Sequence, residues 1–392
     1  MHGSGSDTLS DQTGQQTRLP FVLMRGGTSK AVFLRGENLP DDRELRDSLI
    51  LSLFGSPDPR QVDGLGGADL LTSKLAIIDT PTRNDADLDY TFAQVSITEP
   101  VVDYDINCGN ISAAVAAFAV DEALVEVEEP LTRVRIHNTN TGRILIAEVI
   151  VVDGAAAVEG SYVVHGVPGS GAPIALDFGQ TAGGVTGSLL PSGHVMDVLE
   201  TDIGPVEATI LDVANLTVFF PATAVGLSGP EMPDQFDPEH LAAIAAVKEA
   251  AANLLGMTTD GLTPVPALVS PPTTYNSYAT GDRVEAEWVD LVARVVGGRP
   301  PVPHKAYPGT LAACTGVAAV IPGTTVHGVA NEVAEDSIRI GHTSGVMPVR
   351  ARVERDGSDW RVDEAVYHRT ARRLAEGTAL VPTSSLQRPA GG

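Results

Sequence analysis

The chain has 392 residues, 43% of them hydrophobic, and a formal net charge of −24 at pH 7. That length exceeds what one core usually spans and predicts two domains. The charge argues against nucleic acid and anionic membrane surfaces as partners. Two cysteines exclude a disulfide framework and fit a cytoplasmic protein, and no apolar run reaches membrane-spanning length.

In chain order, residues 1–18 are polar and lack an apolar h-region, so they predict a disordered tail rather than a signal peptide. DDRELRDSLILSLFG, Asp41 to Gly55, sets Leu45, Leu49, Ile50, Leu53 and Phe54 on one helical face and ends on glycine. GLGGAD, Gly64 to Asp69, is a glycine-rich turn without the context of a dinucleotide fingerprint. It leads into a short apolar strand with Lys74 at its start. NCGNISAAVAAFAV then runs from a polar loop into a helix of small residues, and TRVRIHNTNTGRILIAEVIVV, Thr132 to Val152, is two β-rich runs around an Asn-Thr-Gly turn. PEHLAAIAAVKEAAANLLG has Asp237 as N-cap, Pro238 in the first turn and Gly256 as terminator. DEAVYHRTARRLAEG, Asp363 to Gly377, predicts a third helix, and 383–392 a second tail. The domains are expected at 19–196 and 197–382. No βαβ rhythm, Walker A, HExxH or paired CxxC occurs, so neither a metal nor a redox cofactor is expected.

The charge is uneven. Although 50 of 392 residues are acidic, none lies between Leu291 and Asn331, a window holding Arg294, Arg299, His304, Lys305 and His327. A second acid-free window, Arg18 to Gly36, holds Arg18, Arg25, Lys30 and Arg35. Two readings fit these windows: ordinary buried segments, or a locally positive cleft in an acidic protein. A weak internal echo joins CGNISAAV at Cys108 to CTGVAAVI at Cys314, and TSKAVFL at Thr28 to TSKLAII at Thr72. It suggests a duplicated fold with one cysteine loop per half.

Two positions carry chemistry. Cys108 stands where a polar loop enters a helix, and unpaired N–H groups and the helix dipole there favour a thiolate. The same donors can hold a carboxylate or a developing enolate. Lys74 is flanked by apolar residues, and desolvation favours a neutral amine able to take a proton. A buried structural cysteine and a solvated edge lysine are the plain alternatives.

Taken in order, MRGGTSKAVFL, GLGGADLLTSKLAIID, NCGNISAAVAAFA, VPGSGAPIALDF, LLPSG, HKAYPGT, CTGVAAVIPGT, GHTSG and TARRLAEG resemble the methylaconitate isomerase and oxalomesaconate tautomerase family, from about Leu23 to Gly377. The resemblance implies an α+β, diaminopimelate epimerase-like fold: two similar domains, each a β-rich curled sheet around a central helix, with the site between them. It implies Lys74 and Cys108 as the acid–base pair. Substrate contacts are implied from Arg25, Gly26, Gly27 and Thr28; from Ser73, Asn107, Gly109 and Asn110; and from His304, Lys305, Cys314, Thr315, Ser344 and Gly345. Asp69, Leu70 and Leu71 replace the small polar residues usual before Thr-Ser-Lys. Ile106 stands where glycine is common, and Thr343 where proline is. The acid and two leucines imply a less highly charged, more apolar substrate than is usual.

The reaction expected is an allylic 1,3-proton shift on a small unsaturated di- or tricarboxylate. A proton leaves carbon next to a carboxylate and a C=C bond, a dienolate spreads the charge, and the far carbon is protonated. The conjugated carboxylate is the electron sink. One rival is a two-thiol racemase or epimerase of a small amino or hydroxy acid, using Cys108 and Cys314. The other is a non-catalytic protein that binds small acids. A homo-oligomer is compatible with the chain, whose state of assembly the sequence leaves open.

Overall fold

The computed structural model describes residues 12–104, 108–259, 262–298, 301–331, 337–357 and 359–386. Among the described residues, four longer helices frame it: α1 (Arg43–Phe54), α2 (Gly109–Asp121), α3 (Pro238–Leu254) and α4 (Gly309–Val320), the last followed by the short helix Thr325–Val329. Asp42 caps α1 by accepting from Leu45 N, and Gly55 ends it at φ 74°. Asp237 caps α3 with Pro238 in its first turn, and Gly256 follows at φ 66°. Both helices lie where the sequence places them.

α2 and α4 are of another kind. Every α2 residue from Ile111 to Val120 is buried, as is every α4 residue from Gly309 to Ala319. A helix that is apolar all round must sit inside a core, and both share the main hydrophobic cluster. Small side chains let strands close on them. A Cβ on Gly26 would lie 3.0 Å from Ala114 Cβ, and one on Gly316 would lie 2.6 Å from Val349 Cγ1.

Mixed sheet wraps these helices. In the first half, Lys74–Asp79 pairs parallel with Ser29–Arg35 and antiparallel with Leu88–Val95. Leu131–Asn138 continues the sheet, and with Arg143–Val152 it forms the expected hairpin. In the second half, Asn215–Pro221, Val265–Ser270 and Leu291–Gly297 pair in sequence, followed by Ser337–His342, Gly345–Asp356 and Asp359–Arg369. The sheet continues past residue 196: Ile174–Asp177 pairs with Asp359–Arg369, and Gln16–Gly26 pairs with Ala371–Pro382 along its whole length.

Three expectations are corrected. The helix expected at Asp363 to Gly377 is two strands, Asp359–Arg369 and Ala371–Pro382. Its Ala, Arg, Leu and Glu favour helix, but strand pairing on both sides overrides that preference. Residues 16–18, assigned to a tail, lie in the Gln16–Gly26 strand, where Thr17 is buried opposite Val381. Thr383–Leu386, assigned to the other tail, is a short 3-10 helix. Among the described residues no helix is long and apolar enough to cross a membrane.

Candidate active site

Lys74 opens a strand whose next four residues, Leu75 to Ile78, are all buried. The register sets Lys74 across from Gln94, and Nζ donates to Gln94 Oε1 at 2.8 Å. Gln94 Nε2 donates to Ser73 O at 2.7 Å and Leu70 O at 3.2 Å. Both amide donors are thus spent on carbonyls, which turns the amide oxygen to the lysine. Nζ also lies 5.2 Å from the centre of the Phe92 ring. Lys74 is only 7% exposed, and among the described residues no carboxylate pairs with it. His304 faces it from the other half. Burial first, then the lysine's positive charge, pushes the His304 imidazole down. His304 keeps an exposed surface.

Cys108 is the N-cap of α2, with extended backbone at φ −134°, ψ 97°. Its carbonyl accepts from Ile111 N, Ser112 N and Ser112 Oγ. Gly109 follows because nothing larger fits: a Cβ there would collide with Tyr367 Oη and lie 3.1 Å from Thr310 Cγ2. A Cβ on Gly309, the first residue of α4, would strike the same tyrosine ring. Tyr367 therefore fills the space between the two helix N-termini. Lys74 lies near His304, and Gly109, next to Cys108, lies near Thr310 in the first turn of α4.

The remaining expected contacts divide by what they touch. Asn110 Nδ2 donates to Thr28 Oγ1 at 3.0 Å and Ser29 Oγ at 3.4 Å. Gly26 and Gly27 lie against Asn110, Gly27 at φ 49°. Arg25 is half-buried, and its Nη1 donates to Gly27 O, Thr370 O and Thr370 Oγ1. Ser344 Oγ donates to Lys305 O, and Ser344 N donates to His342 Nδ1 at 3.2 Å. Gly345, at φ 140°, lies under His165. Lys305 is exposed. Ser73 is fully buried, with its hydroxyl accepting from Gln61 Nε2 and donating to Val95 O. It positions the strand rather than facing the cleft. Asn107 lies outside the described residues, as do Ile106 and Arg299.

Cys314 is corrected. It lies in the middle of α4, not at its start, and is fully buried. Sγ is 3.7 Å from Leu211 O, and burial pushes the thiol up to about 12. Thr315 beside it is also buried, donating to Leu311 O at 2.7 Å and touching Tyr307 Oη at 2.8 Å. The residue of α4 that occupies the place of Cys108 in α2 is Pro308, its N-cap. The structural repeat matches Gly109 to Gly309, not cysteine to cysteine. A two-thiol racemase needs a thiol at both helix ends and has one.

The positive windows are corrected in part. Arg294 is buried, and its guanidinium is spent on the carbonyls of Pro230, Glu231 and Ala293. Much of the Leu291 to Asn331 window lacks acids because α4 is core. The buried cation of the cleft is one that the windows missed. Arg369 lies in the segment expected to be helical, where no strand alternation was sought. Among the described residues no group of three His, Cys, Asp or Glu side chains is placed to hold a metal.

Sheet wound around two apolar helices whose N-termini converge on one tyrosine defines the class: a diaminopimelate epimerase-like fold. A hydroxyproline epimerase from Agrobacterium vitis shares that fold, with a TM-score of 0.54 and 11% identity over 93% of each chain. The chain belongs to the PrpF family, whose model, described as PrpF protein, matches residues 16–382. A 3-methylitaconate isomerase from Eubacterium barkeri is 49% identical over 382 residues, covering 95% of this chain and 99% of the relative. The crystal structure of a methylitaconate-delta-isomerase matches with a TM-score of 0.85 and 48% identity, covering 97% of this chain and 99% of that one. The protein is an isomerase.

Proposed function

We propose that this isomerase moves a C=C bond by a 1,3-proton shift in a small unsaturated di- or tricarboxylate of the methylitaconate, methylaconitate or oxalomesaconate type. Lys74 and Cys108 are the groups that give and take the proton. The observation that carries this reading is the setting of Lys74. A nearly buried amine is held by a neutral amide and, among the described residues, pairs with no carboxylate. An amine so placed can take a proton from a carbon acid. Two groups are needed because the proton leaves one carbon and returns to another. Electrons flow into the carboxylate-conjugated system, so no redox cofactor enters the balance. The exposed Leu70 and Leu71 beside Gln94 suit an apolar substituent on the substrate.

The test is turnover of methylitaconate in deuterium oxide, followed by proton NMR. Wild type is expected to migrate the double bond and place deuterium at the newly protonated carbon. Lys74→Ala and Cys108→Ser are each expected to lose turnover by about 10²–10⁴-fold while still binding the diacid. Full activity in Lys74→Ala would sink the assignment.

A further inference from the structure

A cavity between the halves is lined by Thr28, Tyr162, His165, Tyr307, His342 and Arg369, with Val346 to Pro348 forming its apolar wall. Two of these side chains are buried and carry donors that no described residue matches. Arg369 is 4% exposed. Nε donates to Asn110 Oδ1 at 2.8 Å, Nη1 to His368 O at 2.9 Å, and Nη2 contacts Met347 Sδ at 3.2 Å. All three partners are neutral, and among the described residues no carboxylate pairs with this guanidinium. A buried cation without an anion is costly, and proteins pair such charges unless a ligand does so.

His342 supplies the second observation. It is 2% exposed, and Nδ1 accepts from Ser344 N. The neutral ring therefore carries its proton on Nε2. That atom is buried with no hydrogen-bond partner among the described residues. Burial, then the charge of Arg369, pushes this imidazole well down, so it stays neutral beside the arginine. An orphan N–H donor and an acid-free guanidinium lining one cavity have the same complement: an anion with two acceptor oxygens.

We propose that Arg369 and His342 form the receptor for one carboxylate of the substrate. This rests on the diacid reading given above and assigns one carboxylate a place in it. Guanidinium matches carboxylate geometrically, and the His342 Nε2–H fills a remaining acceptor direction.

Calorimetric binding of methylitaconate and of each of its two half-amides tests this, with wild type, Arg369→Gln and His342→Phe. Wild type is expected to bind the diacid about tenfold or more tighter than the half-amide that lacks the held carboxylate. Both variants are expected to erase that preference by weakening the diacid and leaving that half-amide within about twofold. Equal weakening of all three ligands, an unchanged preference in a folded variant, or no binding to wild type overturns the proposal. Should Arg369→Gln fail to fold, His342→Phe and the wild-type preference decide it: phenylalanine keeps an aromatic ring of similar size while removing the Nε2 donor, together with the Nδ1 acceptor of Ser344 N. Deuterium incorporation in the same wild-type samples separates the two readings. An Arg369-dependent preference without exchange leaves the receptor standing and removes the proton shift.

Discussion

Arg369, at the end of one of the last strands, donates to the side chain of Asn110, in the first turn of α2. The same Asn110 amide donates back to Thr28, so one side chain ties the first hairpin, the core helix and the cleft arginine together. Asn110→Asp would put a carboxylate on that guanidinium. The expected result is competition with the substrate: KM rises about tenfold or more while kcat falls less. The thermal midpoint should hold or rise, because a buried cation gains its counter-ion. Steady-state kinetics and a melting curve check both halves.

Cys314→Ser should keep activity within about tenfold, since the buried thiol, pushed up to about 12, takes no part in proton transfer. Its effect should instead appear in the urea midpoint, because a hydroxyl replaces a thiol in an apolar site. A Cys314→Ser enzyme that is folded and inactive would restore the two-thiol scheme.

Tyr367 should behave as a spacer. Its hydroxyl is buried without a hydrogen-bond partner among the described residues, so Tyr367→Phe should cost less than about 1 kcal/mol. Gly109→Ala should cost about 1–3 kcal/mol, because the new methyl meets that hydroxyl. Combining the two should recover part of the loss, a coupling that a double-mutant cycle in urea would read directly.

Stability should fall as the solution is acidified through the histidine range. Burial holds His342 well below its usual value of 6.5, so between those two values the unfolded chain binds a proton that the folded one does not. Stability is therefore full above about 6.5 and is lost progressively as pH falls below it. His165, His304 and His368 are pushed down in the same direction, also by burial first. Urea midpoints at several pH values should drop toward pH 5, and His342→Phe should flatten that slope.

The amphipathic helices were legible because local signals suffice for them: Asp42 and Asp237 as caps, Gly55 and Gly256 as stops. Lys74 at a strand start and Cys108 at a helix start were legible for the same reason. What lay beyond reach depends on distant partners. The segment after Asp363 is strand because Gly345–Asp356 and Gln16–Gly26 lie beside it, and nothing local says so. Gln94 matters through its cross-strand register with Lys74. Arg369 and His342 matter because tertiary burial strips them of water. The Cys108 and Cys314 echo misled because motif likeness fixed the offset, whereas the folded repeat is set by which glycines admit Tyr367.

The pairing of Gln16–Gly26 with Ala371–Pro382 has a consequence for synthesis. Register partners such as Gln16 and Pro382 are far apart along the chain, so the strand that emerges early from a ribosome waits for one that emerges much later. Until then its N–H and C=O groups form an open edge, the kind of surface on which nascent chains associate. Closing so long a loop is slow, which makes this seam the expected late step of folding and a natural point for chaperone engagement. A chain that stops short of Ala371 should accumulate as an aggregation-prone intermediate. A circular permutant that joins the two strands through a short turn should fold faster than the native order, with the cleft unchanged.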